Sequence, residues 1–215
     1  IGTLGESNLL DDTILVFTSD HGDMLFNHGM VAKRCFYEEA ARVPFILSGK
    51  PMLPWRGTVE KKLAGMGDLM PTLLDLCGIP IPETVEGIPL MTEQTHAYIY
   101  GEVSDGDKAT RMIRWGDYKL IYYPYGNKFQ LFNLEKDRAE THDCANDPEC
   151  QEALEIMTAL LIENLHDADL DWLEDGRLVG MTARELKPKA DFGLYNQRGY
   201  HWPTPAGYSN QGKNA

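Results

Sequence analysis

The residues best equipped for chemistry sit in one run, SDHGDMLFNHGMVAKRCFYEEAARVPFIL, which begins at Ser19. Asp20 offers hard carboxylate oxygens and His21 a borderline imidazole nitrogen, so the pair can ligate a divalent ion. Gly22 permits a sharp turn beside them. His28 and Lys33 follow on the same loop. Lys33 is a compact cation whose ammonium donors suit an anionic ester oxygen. A metal and a lysine together stabilise charge developing on a transferring sulfuryl or phosphoryl group. Residue chemistry alone leaves each role open. An Asp-His turn also serves as a hydrogen-bonded cap, and a lone lysine or histidine as a solvated side chain or local hydrogen-bonder. Glu38 and Glu39 are adjacent, but FYEEAARVPF reads as a short helix entering a strand, with the two carboxylates directed apart.

The elements that must position these groups are legible around them. Residues 13–19, TILVFTS, form an unbroken β-branched and aromatic run. That pattern predicts a strand buried on both faces, as in a parallel α/β sheet, with Asp20 and His21 at its carboxyl end. VPFILS (43–48) reads as a second short strand, and GDLMPTLLDLC (67–77) as a helix with Leu69, Leu73, Leu74, Leu76 and Cys77 on one stripe and Asp68 as a cap. After a Pro-rich connector the pattern changes. HAYIYGEV, RMIRWGDYKLIYYP and KFQLFNL are short aromatic strands separated by turns, which predicts an antiparallel meander. Its aromatics Tyr118, Tyr122, Tyr123, Phe129 and Phe132 read as sheet packing. Residues 149–166 predict an amphipathic helix with Leu154, Met157, Leu160, Leu161 and Leu165 on one side. The expected division is 1–92 for the α/β part, 93–166 for the antiparallel subdomain with its helix, and 167–215 for a loop-rich tail in which Arg198, His201 and Trp202 stand out.

Taken in order, TILVFTSDHGDML, NHG, KRCFYEEAARVPFIL, GDLMPTLLDLCGIPIPETVEGIPL, RMIRWGDYKLIYY and FQLFNLEKDRAETHD resemble the sulfatase family of the alkaline phosphatase superfamily, over roughly residues 10–165. The resemblance implies an α/β fold: the C-terminal portion of an alkaline-phosphatase-like mixed sheet with helices, plus a small antiparallel sheet packed on a C-terminal helix. It implies an arylsulfatase-like sulfuric ester hydrolase. Asp20 and His21 would be metal ligands and Lys33 the contact to the substrate's sulfate, with His28 a loop histidine of the site. The implied cofactor is a divalent metal, with calcium the family's usual ion. Many members carry Asn at the His21 position, and the related phosphonate monoester hydrolases with Asp-His accept manganese or others. The alternatives are therefore a phosphonate or phosphate ester hydrolase of the same superfamily, or a non-catalytic binding and assembly domain.

The family's nucleophile is a formylglycine made from Cys or Ser in a C-x-P-x-R or C-x-A-x-R context. Cys35, Cys77, Cys144 and Cys150 all lack that context, as does every serine. The family's other acidic ligands also have no counterpart, and a hard cation takes about six or more oxygens. The reading therefore expects a chain that begins, at Ile1, inside a longer enzyme, is inactive alone, and either self-associates or takes strands from a partner chain. Cys35 and Cys77 are expected to be buried thiols. Cys144 and Cys150, in the loop CANDPEC, are open between a disulfide and unpaired thiols.

The 215 residues carry a net charge of -13, which repels phosphate backbones and argues against nucleic acid as a partner. A sulfate or phosphonate ester would then rely on a local cation and a metal. No apolar run approaches membrane-spanning length, and the compartment is not legible.

Overall fold

The computed structural model describes residues 1–182; Arg198, His201 and Trp202 lie outside the described residues. A short helix α1 (Gly2–Glu6) precedes strand β1 (Leu15–Thr18), helix α2 (Glu38–Ala41) and strand β2 (Phe45–Ser48). Helix α3 (Leu69–Leu76) follows a 3-10 turn at Met66–Asp68. Then come β3 (Ile99–Val103), β4 (Thr110–Trp115), β5 (Tyr118–Tyr123), β6 (Lys128–Asn133), α4 (Gln151–Asn164) and a minimal ribbon of β7 (Leu173–Glu174) and β8 (Arg177–Leu178). Among the described residues, no helix is long and apolar enough to cross a membrane.

The expected meander is present: β3 to β6 pair in sequence order, each antiparallel to the next. Side-chain alternation gives the sheet two buried faces. Ile113, Leu120, Tyr122 and Leu131 meet Met157, Leu161 and Trp172 in one core, where α4 packs. Met112, Ile121 and Phe132 point the other way and meet Met24, Phe36, Tyr37 and Ala40, which belong to the Asp20–Ala41 segment. The C-terminal sheet is thus sandwiched between its own helix and the loop that carries the candidate site. α4 buries Ala153, Met157 and Leu161, with Leu154 and Leu160 packed at the edge of the core, as the spacing predicts.

Three expectations are corrected. Strand β1 pairs antiparallel with β2 in a two-stranded sheet, and Phe17 is 63% exposed, with its partner Ile46 at 55%. A run buried on both faces needs flanking strands and a layer on each side, and among the described residues only β2 pairs with β1. The expected burial of Cys35 and Cys77 is also corrected: Cys77 is exposed and Cys35 half-buried, whereas Cys144 and Cys150 are the buried thiols. The stripe on α3 ends at Leu76, and Cys77, at the C-cap, has turned outward. Asp68 is 1% exposed and, against expectation, its side chain makes no cap bond to α3. Its carboxylate accepts Gly65 N–H, Ile88 N–H and His96 Nε2, so it ties the turn before α3 to the Pro-rich connector.

Candidate functional site

Strand β1 ends in a compact turn. Ser19 Oγ donates to the His21 carbonyl at 2.8 Å, and the His21 N–H donates to Asp20 Oδ1 at 3.1 Å. The His21 Nδ1 lies 2.6 Å from the Gly22 carbonyl. A carbonyl only accepts, so Nδ1 carries the proton and Nε2 presents its lone pair. That lone pair lies 3.3 Å from Asp20 Oδ2 and receives a hydrogen bond from Lys33 Nζ. A carboxylate oxygen and an imidazole nitrogen from adjacent residues, and an ammonium from Lys33 further along the loop, therefore converge at the carboxyl end of β1. Asp20 is 81% exposed at its side chain. Its carboxyl lies below the usual carboxylate range. Desolvation opposes the shift, but the backbone N–H groups of Asp20 and His21 and the Lys33 ammonium pull it down. The group stays ionised, as a ligand must.

The turn is held from behind by backbone. Gly22 N–H donates to the Ala40 carbonyl at 2.8 Å. A Cβ on Gly22 would stand 1.9 Å from the Glu39 carbonyl oxygen, so only glycine allows the turn to lie this close to α2. The loop that follows is pinned by Met24, fully buried in the second core, and by the hydrogen bond from Met24 N–H to the Ala32 carbonyl at 2.7 Å. Leu25, Phe26, His28, Ala32 and Arg34 all have positive φ in this stretch, a concentration of strain of the kind found at functional loops.

α2 is in turn fastened to the C-terminal sheet by an ion cluster that sequence reasoning missed. Lys119, on β5 and 2% exposed, donates to the Phe36 carbonyl at 2.7 Å and to Glu38 Oε1 at 2.5 Å, and lies 2.9 Å from Glu140 Oε1. Glu140 Oε2 accepts the Glu38 N–H at 2.6 Å. Burial pushes the Glu140 carboxyl up, outweighing the Lys119 ammonium beside it. The only sequence signal was an ionisable residue at a core-facing position of a predicted strand. Glu39 points elsewhere, accepting from Asn27 Nδ2 at 3.0 Å, so the adjacent glutamates do diverge.

His28 is placed apart from the converging trio. Its ring stacks on Tyr37 at 4.1 Å and 11°, and Tyr37 Oη donates to Gln130 Oε1 at 3.1 Å. Ligating atoms of His28, Glu39 and Glu140 come within 4.8 Å of one another, as do those of Asp147, Glu149 and Cys150. The first grouping, of carboxylates with an imidazole, is one that could hold a divalent ion. An open groove of ≈ 590 Å³ lies against α2, lined by Glu38, Glu39, Arg42, Val43, Pro44, Arg138 and Ala139; it includes none of Asp20, His21 or Lys33.

A four-stranded antiparallel sheet backed by one helix, docked on the loop where Asp20, His21 and Lys33 meet, matches the C-terminal portion of a sulfatase-like α/β fold. The chain belongs to the family described as N-sulphoglucosamine sulphohydrolase, C-terminal, which matches residues 26–167. It is 33% identical over 193 residues to an arylsulfatase of Clostridium perfringens, covering 86% of this chain and 40% of that protein. It is 36% identical over 163 residues to a Delta 4,5-hexuronate-2-O-sulfatase of Bacteroides thetaiotaomicron, covering 70% of this chain and 34% of that protein. The fold superimposes on a phosphonate monoester hydrolase from Silicibacter pomeroyi with a TM-score of 0.65 at 25% identity, covering 80% of this chain and 39% of that one. The chain therefore spans about two fifths of the length of the curated arylsulfatase it matches. Lys33 and His28 fall inside the family match, and Asp20 and His21 just before it.

Proposed function

We propose that this chain supplies one wall of a sulfuric ester hydrolase site. Asp20 and His21 hold a divalent metal, Lys33 contacts the sulfate of the substrate, and the formylglycine nucleophile comes from outside this sequence. The convergence of Asp20 Oδ2, His21 Nε2 and Lys33 Nζ carries this reading. The donor set fits a metal in part. The His21 tautomer gives Nε2 a lone pair, now taken by Lys33, that would ligate once the ammonium turns to the substrate, and Asp20 is ionised and open to solvent. Two ligating residues cover only one side of a hard cation's shell, so the remaining oxygens come from other parts of the site. Calcium suits the carboxylate, and manganese suits the Asp-His combination better. A bound divalent ion would withdraw charge from the ester oxygens. Lys33 would hold one anionic oxygen of the ester with its ammonium, which matters more because the chain as a whole is acidic. For His28, stacked on Tyr37, the role is to hold the loop. The division near residue 92 separates the segment that bears the site from the sheet that braces it.

The test is hydrolytic. The complete enzyme should release sulfate from an aryl sulfate in a metal-dependent way, and this 215-residue polypeptide alone should not. Sulfate release by the polypeptide alone, well above background, would overturn the assignment of the nucleophile. His21, and the fold shared with a phosphonate monoester hydrolase, favour a second reading in which the ester is a phosphonate. Comparing kcat/KM on matched aryl sulfate and phenylphosphonate esters separates the two.

A further inference from the structure

The loop between β6 and α4 folds back on itself through consecutive turns. Cys144 N–H donates to the Leu131 carbonyl at 2.8 Å, which fixes the start of the loop to β6. Asp147 N–H donates to the Cys144 carbonyl at 2.9 Å, and Cys150 N–H to the Asp147 carbonyl at 3.0 Å. Gln151 Nε2 closes the reversal from inside, donating to the carbonyls of Ala145 and Asp147 at 2.9 and 3.0 Å. Both cysteines are 4% exposed and belong to the same apolar core, alongside Leu131, Ala153 and Met157. The Cys150 thiol stands near enough to Cys144 to disfavour its ionisation. An apolar core gains more from two methyl-bearing side chains than from two paired thiols, so packing alone does not call for cysteine at both positions.

We propose that Cys144 and Cys150 form a dithiol that a low-molecular-weight disulfide such as oxidised glutathione converts into an intramolecular disulfide, a redox modification site that tethers the start of α4 to β6. The Cys144 thiolate attacks one sulfur of the small disulfide, forming a mixed disulfide and releasing one small thiolate. The Cys150 thiolate then attacks Cys144 Sγ, forming the protein disulfide and expelling the second small thiolate. Two protein thiols lose two electrons and two protons, and one small disulfide becomes two thiols. Burial, followed by the neighbouring Cys150 thiol, pushes the Cys144 thiol up to about 12. The exchange is therefore slow at neutral pH and quickens with rising pH. The bridge suits an oxidising compartment, where it persists. This inference does not depend on the hydrolase reading.

Exposed Cys77 provides an internal control. The folded 215-residue chain is treated with oxidised glutathione at about pH 9, past full modification of Cys77 and until no further mass change occurs, then digested with trypsin without reduction. Residues 139–177 form one tryptic peptide that holds both Cys144 and Cys150. That peptide should lose the mass of two hydrogens and carry no glutathione, and Tm should rise by about 5 °C, reversibly with dithiothreitol. In Cys150→Ser the loss of two hydrogens and the Tm rise should both vanish. A wild-type peptide that keeps both thiols, or carries glutathione on both, while Cys77 is fully modified overturns the proposal.

Discussion

At the scale of single residues, the site is built from one imidazole lone pair and two charges. His21 donates through Nδ1 to a backbone carbonyl, which commits Nε2 to outward contact with Asp20 and Lys33. In the complete enzyme, Asp20→Asn and His21→Ala should each lower bound metal and reduce kcat/KM by about a hundredfold or more. Lys33→Ala should reduce kcat/KM by a similar factor and leave metal content unchanged. Metal analysis beside steady-state kinetics distinguishes these patterns; metal loss in Lys33→Ala would remove the lysine from its proposed role. Gly22 has no such chemical part, yet its missing Cβ is what lets the turn reach the backbone of α2.

At the scale of elements, buried charge joins what local sequence keeps apart. Lys119 of β5 meets Glu38 of α2 and Glu140 of the loop after β6, across 81 residues in the first case. Lys119→Met should cost about 3–5 kcal/mol in chemical denaturation, because it leaves two partly or fully buried carboxylates without their cation. A cost below about 1 kcal/mol would show that the cluster is well solvated. A second link responds to pH. His166 bonds Asp167 and Glu102 of β3, and these hydrogen bonds raise its pKa. Its folded value lies above the unfolded one, so its contribution is complete below the unfolded value near about 6.5 and disappears as pH rises through the folded value. Thermal scans should therefore separate wild type from His166→Gln most at about pH 6 and least at about pH 9. An unchanged or inverted gap would contradict the linkage.

At the scale of the whole molecule, the two halves of the described chain differ in how completely they are enclosed. The four-stranded sheet has a core on each face, whereas the β1–β2 ribbon exposes Phe17 and Ile46 side by side. A two-stranded sheet with an open apolar face is marginal by itself and attracts further strands. We expect the isolated polypeptide to sediment above its monomer mass, and Phe17→Ser combined with Ile46→Thr to shift it toward the monomer. A wild-type chain that remains monomeric across concentrations would count against that surface as the contact.

The sequence by itself determined the elements with strong local periodicity. The four aromatic strands, the amphipathic α4 and the Asp-His turn at a strand end are all encoded in spacing over a few residues, and the ordered motifs were enough to indicate the sulfatase family. Only the tertiary structure decided what depends on residues far apart. It exposed Cys77, which falls at the outward C-cap of α3, and turned Cys144 and Cys150 into the core beneath α4. It exposed one side of β1, since the number of neighbouring strands is not written in the strand. It set His28 against Tyr37 while bringing Lys33 onto His21, a choice fixed by where the buried Met24 anchors the loop. Periodicity reports which face of an element is apolar; which partner covers that face, and which charges meet there, follows only once the elements pack.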